Sequence, residues 1–596
     1  MDEKPKSIWK KSWTGPRAFL FWLLVVSVAA FLTAALTAAV TSVRTTLFDR
    51  HSGLGNFVGY TLFVMFWFIV AVAVAFILYG IVRWLFCWRN LKRSLFVLAC
   101  FVTLIALFYA EEDWRGWHVW QKFKREWEAK GEHFDFASVV PPPVPDDQNF
   151  AMTPIVASSY LYILDKNGHR INPPNTNVVN RLGMTLYSDD DWKNSPTNGY
   201  WAKGTKTDLN AWQRYYRLVA AKTNLFRVPA QPQSPADDVL VALSKYDSAI
   251  EELREASRLP SSRFPLNYDS ESPSAILLPH LAALKKCAQT LQLRSLAELQ
   301  SGQPEKALAD VRLALQLTDK IRTEPFLISH LVRIAMLQIM LQPVWEGLAE
   351  HKWSEAQLVA LDAELAKFNF PADYKLSMRG EMGCQGGEVD RVRRHPEQLE
   401  GLSGMIDREA GVINQLLPGK FIARLIPTGW FYQNQFRCAR MMVDYCLPVA
   451  DVDHGTFSPA LARIGDAALK AETKTAGPFN VLERLMLPGL GNGARRFAYA
   501  QSSVNLACTA IALERYRLAH DEYPDSLDTL VPQFIAKLPH DVINDQPLHY
   551  RRTSDGQFVL YSVGWNETDD GGEVGLTKKG YLDISTGDWV WRYPAK

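Results

Sequence analysis

The chain has 596 residues, 48% of them hydrophobic, with 65 Lys and Arg against 63 Asp and Glu. That composition is neither disordered nor fibrous. A formal net charge of +2 with no Lys/Arg cluster excludes a nucleic-acid binder, and a mean hydropathy of −0.11 excludes a channel or transporter spread through the bilayer from end to end.

Hydrophobicity is concentrated at the N-terminus. Residues 18–43 carry no charge, and neither do residues 53–82. A helix rises ~1.5 Å per residue against a hydrocarbon core ~30 Å thick, so about 20 apolar residues cross it. A third stretch, 94–110, has 17 uncharged residues. It stands at the lower edge of spanning length, with a re-entrant or interfacial segment as the alternative. The expectation is a three-helix transmembrane anchor (18–43, 55–82, 94–110) embedded in the lipid bilayer. Lys4, Lys6, Lys10, Lys11 and Arg17 precede the first span, and Arg83, Arg89, Lys92 and Arg93 precede the third. Positive residues stay on the cytoplasmic side. A cytoplasmic tail (1–17), a bacterial inner-membrane location and a periplasmic soluble region follow. Of the seven cysteines, Cys87 and Cys100 lie in or beside the spans; no CxxC pair occurs, and the other five are read as buried free thiols in preference to a Cys438–Cys446 disulfide.

Residues 111–149 form the next unit. Trp114, Trp117, Trp120, Phe123 and Trp127 recur every three or four residues. Such a stripe lies either at the lipid headgroups or against the next domain. The run Pro141–Pro145 cannot be helical and reads as an extended spacer. Residues 150–235 are mixed: a short strand over Ser159–Leu164, a turn at Asp165–Gly168, and the triplet Asp189–Asp191, read as a solvated loop or helix start in preference to a metal site.

Residues 236–495 read as mainly helical and extracytoplasmic. Ala307, Leu308, Val311, Ala314 and Leu315 fall on one face of a 3.6-period helix. Leu293–Leu317, with Gly302 at a turn and small residues at 307 and 314, resembles one tetratricopeptide hairpin. No second copy follows, so a generic bundle or irregular solenoid explains it equally well.

The last unit is 496–596. Val504, Cys508, Ile511 and Leu518 mark one face of a helix, and short apolar runs such as Phe558–Val563 read as strands. The ordered series YPDSLDTLVPQFIAKLPHD, PLHYRR, GQFVLYSVGWNETDDGG and YLDISTGDW resembles the globular domain of the major pseudopilin of type II secretion systems. The resemblance implies an α+β domain with a small antiparallel sheet and a structural calcium held by the loop after the Ser-x-Gly strand and a later Asp-Ile. Here those positions are Ser562, Asn566, Asp569, Asp570 and Asp583, with Asn566 standing where that family usually has an aspartate. Oxygen ligands of this kind suit calcium. Glu514, Arg515 and Arg517 keep the preceding helix out of the membrane.

No HExxH, P-loop, GxGxxG or GxSxG motif occurs. His540, Asp541 and His549 form the closest polar cluster and are read as a surface coincidence. The resulting expectation is a non-enzymatic, inner-membrane-anchored periplasmic scaffold with protein partners in the envelope or secretion machinery. The alternative is a periplasmic hydrolase or transferase whose site leaves no linear motif.

Overall fold

The computed structural model describes residues 72–76, 79–80, 88–160, 163–164, 170–171, 181–398, 424–474, 477–487 and 493–594. The chain divides into two units, Met1–Glu111 and Glu112–Lys596.

Helix α1 runs from Trp88 to Glu128. In its first part Leu95, Phe96, Leu98, Phe101, Leu104 and Leu107 are all exposed. Among the described residues, two helices are long and apolar enough to cross a membrane, Leu91–Glu128 and Leu327–Ala349. The second lies far from the N-terminus, and 67% of its apolar window is buried within the protein. The expected three-helix N-terminal anchor is therefore corrected. Of its stretches, 94–110 falls on α1. The stretches 18–43 and 55–82 lie outside the described residues, apart from 72–76 and 79–80. What stands is coarser: among the described residues, one helix near the N-terminus whose apolar side chains are exposed.

α1 is closed just past its end by Gly131, whose φ of +91° is the left-handed turn that closes many helices. Glu132 N reaches back to Trp127 O at 3.1 Å, the six-to-one bond of that closure. The aromatic stripe divides. Trp114 and Trp117 are 64% and 47% exposed, whereas Trp120 is buried and packs edge-on to Phe134 at 5.4 Å. Phe123 meets Phe436 at 5.2 Å.

Beyond α1 the proline run is extended but not free. Pro141 is buried and its carbonyl accepts from Arg263 Nε at 2.9 Å. Strands β1 (Ile163–Leu164) and β2 (Arg170–Ile171) pair antiparallel, while the turn expected between them lies outside the described residues. Asp191 of the acidic triplet is neutralised by Lys222 at 2.9 Å, at the start of a short 3₁₀ turn, Trp192–Asn194.

A layered helical body follows: α2 (Leu209–Lys222), α3 (Pro235–Leu243), α4 (Asp247–Ser257), α5 (Pro279–Gln300), α6 (Pro304–Asp319), α7 (Leu327–Ala349), α8 (Glu355–Leu365) and α9 (Phe370–Arg394). α5 and α6 form a hairpin that turns at Gly302, φ +70°, and Ala307, Val311 and Ala314 face the core. The small residues Ala307 and Ala314 suit close packing of the two helices. α10 (Thr428–Met441) runs into a π-turn, Met442–Cys446. Strands β3 (Ala450–Asp451) and β4 (Thr456–Phe457) lead into α11 (Pro459–Glu472) and α12 (Val481–Met486). All six described cysteines are free, and five of them lie in the body.

α13 (Gly493–His520) carries the last layer. Its strands are β5 (His549–Arg552), β6 (Phe558–Ser562), β7 (Val574–Leu576), β8 (Leu582–Gly587) and β9 (Trp589–Arg592). β6 is the centre of an antiparallel β5–β6–β9 sheet, with His549 opposite Tyr561 and Ser562 opposite Trp589. Every residue of β6 is buried, because the strand is covered on both faces. β7 and β8 form a separate two-stranded ribbon. One continuous apolar cluster runs from Trp120 through the bundle to Tyr593.

Candidate functional site

The acidic loop of the last sheet offers the clearest sequence-level site, and its geometry overturns the calcium reading. Among the described residues, no group of three or more His, Cys, Asp or Glu side chains is placed to hold a metal ion. Each expected ligand is committed elsewhere. Ser562 is buried and donates to Asp541 Oδ1 at 2.9 Å. Asn566 Nδ2 donates to Asp570 Oδ2 at 2.8 Å. Asp569 accepts from Tyr561 Oη at 3.0 Å and from Gly571 N at 2.9 Å. Asp583 accepts from the backbone and hydroxyl of its neighbour Ser585. The loop closes on a carboxylate in place of a cation: buried Asp588 takes Gly572 N at 2.7 Å and Asp570 N at 3.2 Å. Positive charge comes from arginine, with Arg463 on Glu567 at 2.6 Å. Calcium needs six to eight converging oxygens, and here the oxygens face side-chain and backbone donors.

Asp541 proves to be a fixed structural group. It is buried and accepts from Ile543 N and Val563 N as well as Ser562, each at 2.9 Å. Burial nevertheless pushes its carboxyl above the ordinary range. His549 stacks on Tyr561 at 4.8 Å and His540 faces Asp545 at 3.2 Å. The two histidines do not converge with Asp541 on a common point.

Sequence reasoning missed a second polar cluster, at the N-terminal ends of α5 and α7. His280 Nε2 contacts Glu324 Oε1 at 2.7 Å, Ser329 donates to the other oxygen of Glu324, and His330 Nε2 donates to Glu324 O at 2.9 Å. The carboxylate stands between serine and histidine, so the histidine cannot take the serine proton as a nucleophilic relay requires. All four side chains are buried, and Phe264 covers the His280 ring at 3.8 Å. The cluster ties α5 to α7. Burial and the Arg333 charge hold His330 neutral, with its pKa lowered to about 3.

A cavity of about 310 Å³ opens where three segments meet. α1 contributes Trp120, Gln121 and Lys124, and the loop after it Phe134, Asp135 and Phe136. α9 contributes Gly386, Gly387, Asp390 and Arg393, and α10 Tyr432 and Gln435. Glycines make the meeting possible. A Cβ on Gly383 would stand 2.7 Å from Phe136 Cα, and one on Gly386 3.1 Å from Phe134 O. The charges are balanced in place: Arg393 pairs with Asp390 at 3.2 Å and lies over the Tyr432 ring at 5.1 Å, and Lys124 faces Glu128 at 3.6 Å.

Below this cavity a smaller recess of about 10 Å³ is lined by Met382, Val389 and Ala439, together with Trp120, Phe134, Gly386 and two glutamines. Gln385 is 4% exposed, and neither its Oε1 nor its Nε2 makes a hydrogen bond within the protein. Gln435 is 7% exposed and its Oε1 is likewise unpartnered. A buried amide left unpaired costs ~1–3 kcal/mol, and a recess of this size has room for about one water bridging such amides. One signal in the sequence pointed here. Glycines at 380, 383, 386 and 387 sit inside a single helix, each ~1 kcal/mol worse than Ala in an exposed helix, and that cost implies close approach by other segments.

No family model, no curated protein and no solved structure matches the chain.

Proposed function

We propose that the chain is a membrane-tethered, non-enzymatic interaction protein of the bacterial envelope, with Glu112–Lys596 on the periplasmic side of the inner membrane. The observation that carries this reading is the charge step across the uncovered apolar part of α1. Arg89, Lys92 and Arg93 precede it, and Glu111, Glu112 and Asp113 follow it. Lys and Arg are retained on the cytoplasmic side, so the basic end stays in and the acidic end leads out. Exposed Trp114 and Trp117, directly after the acidic end and about one turn on from it, suit the headgroup level where indole rings prefer to sit.

A binding role agrees with a cavity whose lining is aromatic rings, carboxamides and paired charges instead of a nucleophile with a base beside it. Secretion or envelope assembly is the process favoured by the resemblance of 504–589 to the major pseudopilin globular domain, and protein partners in that machinery are proposed with it.

Protease added to intact spheroplasts tests the arrangement. Digestion of the 112–596 body without lysis is the expected result. Protection until the cells are lysed would place the body in the cytoplasm and end the proposal.

A further inference from the structure

We propose that the body makes a second lipid contact besides α1: the end formed by the N-terminus of α10 and the loop before α12 rests on the bilayer surface, with Leu425 reaching the boundary between headgroups and acyl chains. This deepens the tethered reading above and rests on it in one respect, that the apolar part of α1 lies in lipid. It does not depend on which side of the membrane the body occupies.

The argument starts from the direction of two helices. Gly429 stands against Glu112, since a Cβ there would fall 1.9 Å from Glu112 O, and its N–H donates to Asp113 Oδ1 at 2.7 Å. Further along α10, Phe436 meets Phe123 at 5.2 Å. Both helices therefore run the same way, and the residues before α10 enter it from the end of α1 that carries the apolar stretch 94–110. Glu112 follows Ala110 by two residues, a rise of ~3 Å, and the polar layer outside the hydrocarbon is about 5–8 Å deep on each side. Connectivity alone thus sets Gly429 level with the headgroups, and residues 424–427 lead into α10 from its lipid end.

What this end presents fits an interface. Leu425 is 54% exposed, although Ile426 beside it packs on the cluster of Val389, Phe431 and Leu482. Trp430 lies edge-on to Phe479, from the loop before α12, at 5.5 Å, and Arg115 lies over the Phe479 ring at 5.6 Å. Both rings are half-buried. With Trp114 and Trp117 they bring aromatic side chains from α1, α10 and the 477–480 loop to one end of the body, as lipid headgroups favour. The acidic residues there do not oppose lipid phosphates. Glu112 accepts from Trp430 Nε1 at 2.9 Å and pairs with Arg115, and Asp113 is held by Gly429 N. Arg424 adds an exposed cation, whose stem can lie along lipid while its head stays at the phosphates. Lipid is the occupant because the uncovered apolar side chains of α1 lead directly into this surface, so the bilayer around 94–110 reaches it without any further partner.

The test places spin labels on the full chain, carrying Cys87→Ser, Cys100→Ser and Cys446→Ser, in liposomes of phosphatidylethanolamine and phosphatidylglycerol. Labels go one at a time on Leu425→Cys, on Leu107→Cys within the apolar stretch, and on Ile464→Cys. Ile464 matches Leu425 in being 54% exposed, but it adjoins Gly465, which packs on Tyr445 past the far end of α10. Collision with dissolved oxygen, an apolar solute that concentrates in lipid, is compared with collision with a nickel chelate present in the water on both faces. The oxygen-to-nickel ratio at 425 should approach that at 107 and stand severalfold above that at 464. Equal ratios at 425 and 464 would overturn the proposal, and so would a 425 label shielded from both reagents, as a covering protein surface would shield it. A water-exposed label at 107 would instead overturn the membrane tether and this contact with it. Protease digestion of spheroplasts reports the side of the membrane, on which none of these ratios depends.

Discussion

Glu298 on α5 lies against Asp310 and Arg294 with one carboxylate oxygen, Oε2, that no donor reaches. Asp310 takes the arginines, Arg254 at 2.8 Å and Arg294 at 3.2 Å. The proton of the pair therefore belongs on Glu298, whose pKa burial and the Asp310 charge push up to about 8. The unfolded chain loses that proton near pH 4.5 and the folded chain keeps it to about 8, so the folded state binds more protons between them and stability falls as pH rises. His330 acts with the opposite sign, since the unfolded histidine takes up a proton below 6.5 and the folded one only near 3. The fall should consequently show most cleanly from pH 6.5 to 8, by at most ~2 kcal/mol over that interval. Glu298→Gln should flatten this limb in chemical denaturation. An unchanged slope would mean the proton is held elsewhere.

A second residue-scale expectation concerns Asp588. Asp588→Ala leaves two backbone N–H groups in the 570–572 turn without their acceptor. It should cost ~1–3 kcal/mol, and added calcium should not restore the loss. Recovery with calcium would show the acidic side chains rearranging around a cation. The loop was misread because its acidity is local and visible, while its partners are not. Asp541 and Asp588 stand some 20 residues away on either side, and Arg463 comes from a different helix. A run of carboxylates looks like a ligand set until the N–H groups that occupy it are placed.

At the scale of elements, α1 meets α10 backbone to backbone. A Cβ on Gly116 would fall 2.1 Å from Gly429 O, and one on Gly429 1.9 Å from Glu112 O. The contact is fastened by Gly429 N to Asp113 Oδ1 at 2.7 Å and Trp430 Nε1 to Glu112 Oε2 at 2.9 Å. Gly116→Ala should therefore force α1 outward and cost ~1–3 kcal/mol, as overpacking does. Thermal melts check it, and an unchanged melting temperature would mean the crossing is looser than described.

Helical periodicity was legible wherever neighbours in sequence share a face. Ala307, Val311 and Ala314 are all buried, as are Val504, Cys508 and Ile511 on α13. Leu518 at the far end of that face is exposed, because the helix has run past the sheet that covers it. The cavity was not legible, because its walls come from 120–136, 386–393 and 432–435 and no local pattern links them. The membrane stretch 94–110 was legible, since it falls on Leu91–Glu128, while Leu327–Ala349 also passes on length and hydropathy and only its packing marks it as a core helix.

For the molecule as a whole, the question is whether the terminal sheet can stand apart from the helices. Its inner face rests on more than α13. Trp589 packs on Tyr499 at 5.5 Å, Trp591 on Trp201 at 5.2 Å and Tyr593 on Trp345 at 6.1 Å. Trp345 Nε1 also donates to Arg592 O at 3.0 Å, and Lys203 Nζ to Gly580 O at 2.9 Å. Residues 201–203 and 345 lie far upstream of α13, so a fragment beginning at Gly493 would leave Trp591 and Tyr593 without two of the surfaces that exclude water from them. The helices depend on the sheet in turn, because Trp201 and Trp345 would become exposed without β9. Trp591→Ala should cost ~3–5 kcal/mol, the usual range for a fully buried aromatic. The whole 112–596 body should feel that loss, with far-UV ellipticity of the helices and near-UV signal of the tryptophans shifting together to lower denaturant. Separate transitions, with the helical signal unmoved by the substitution, would show that the contacts across β9 join two independent folding units.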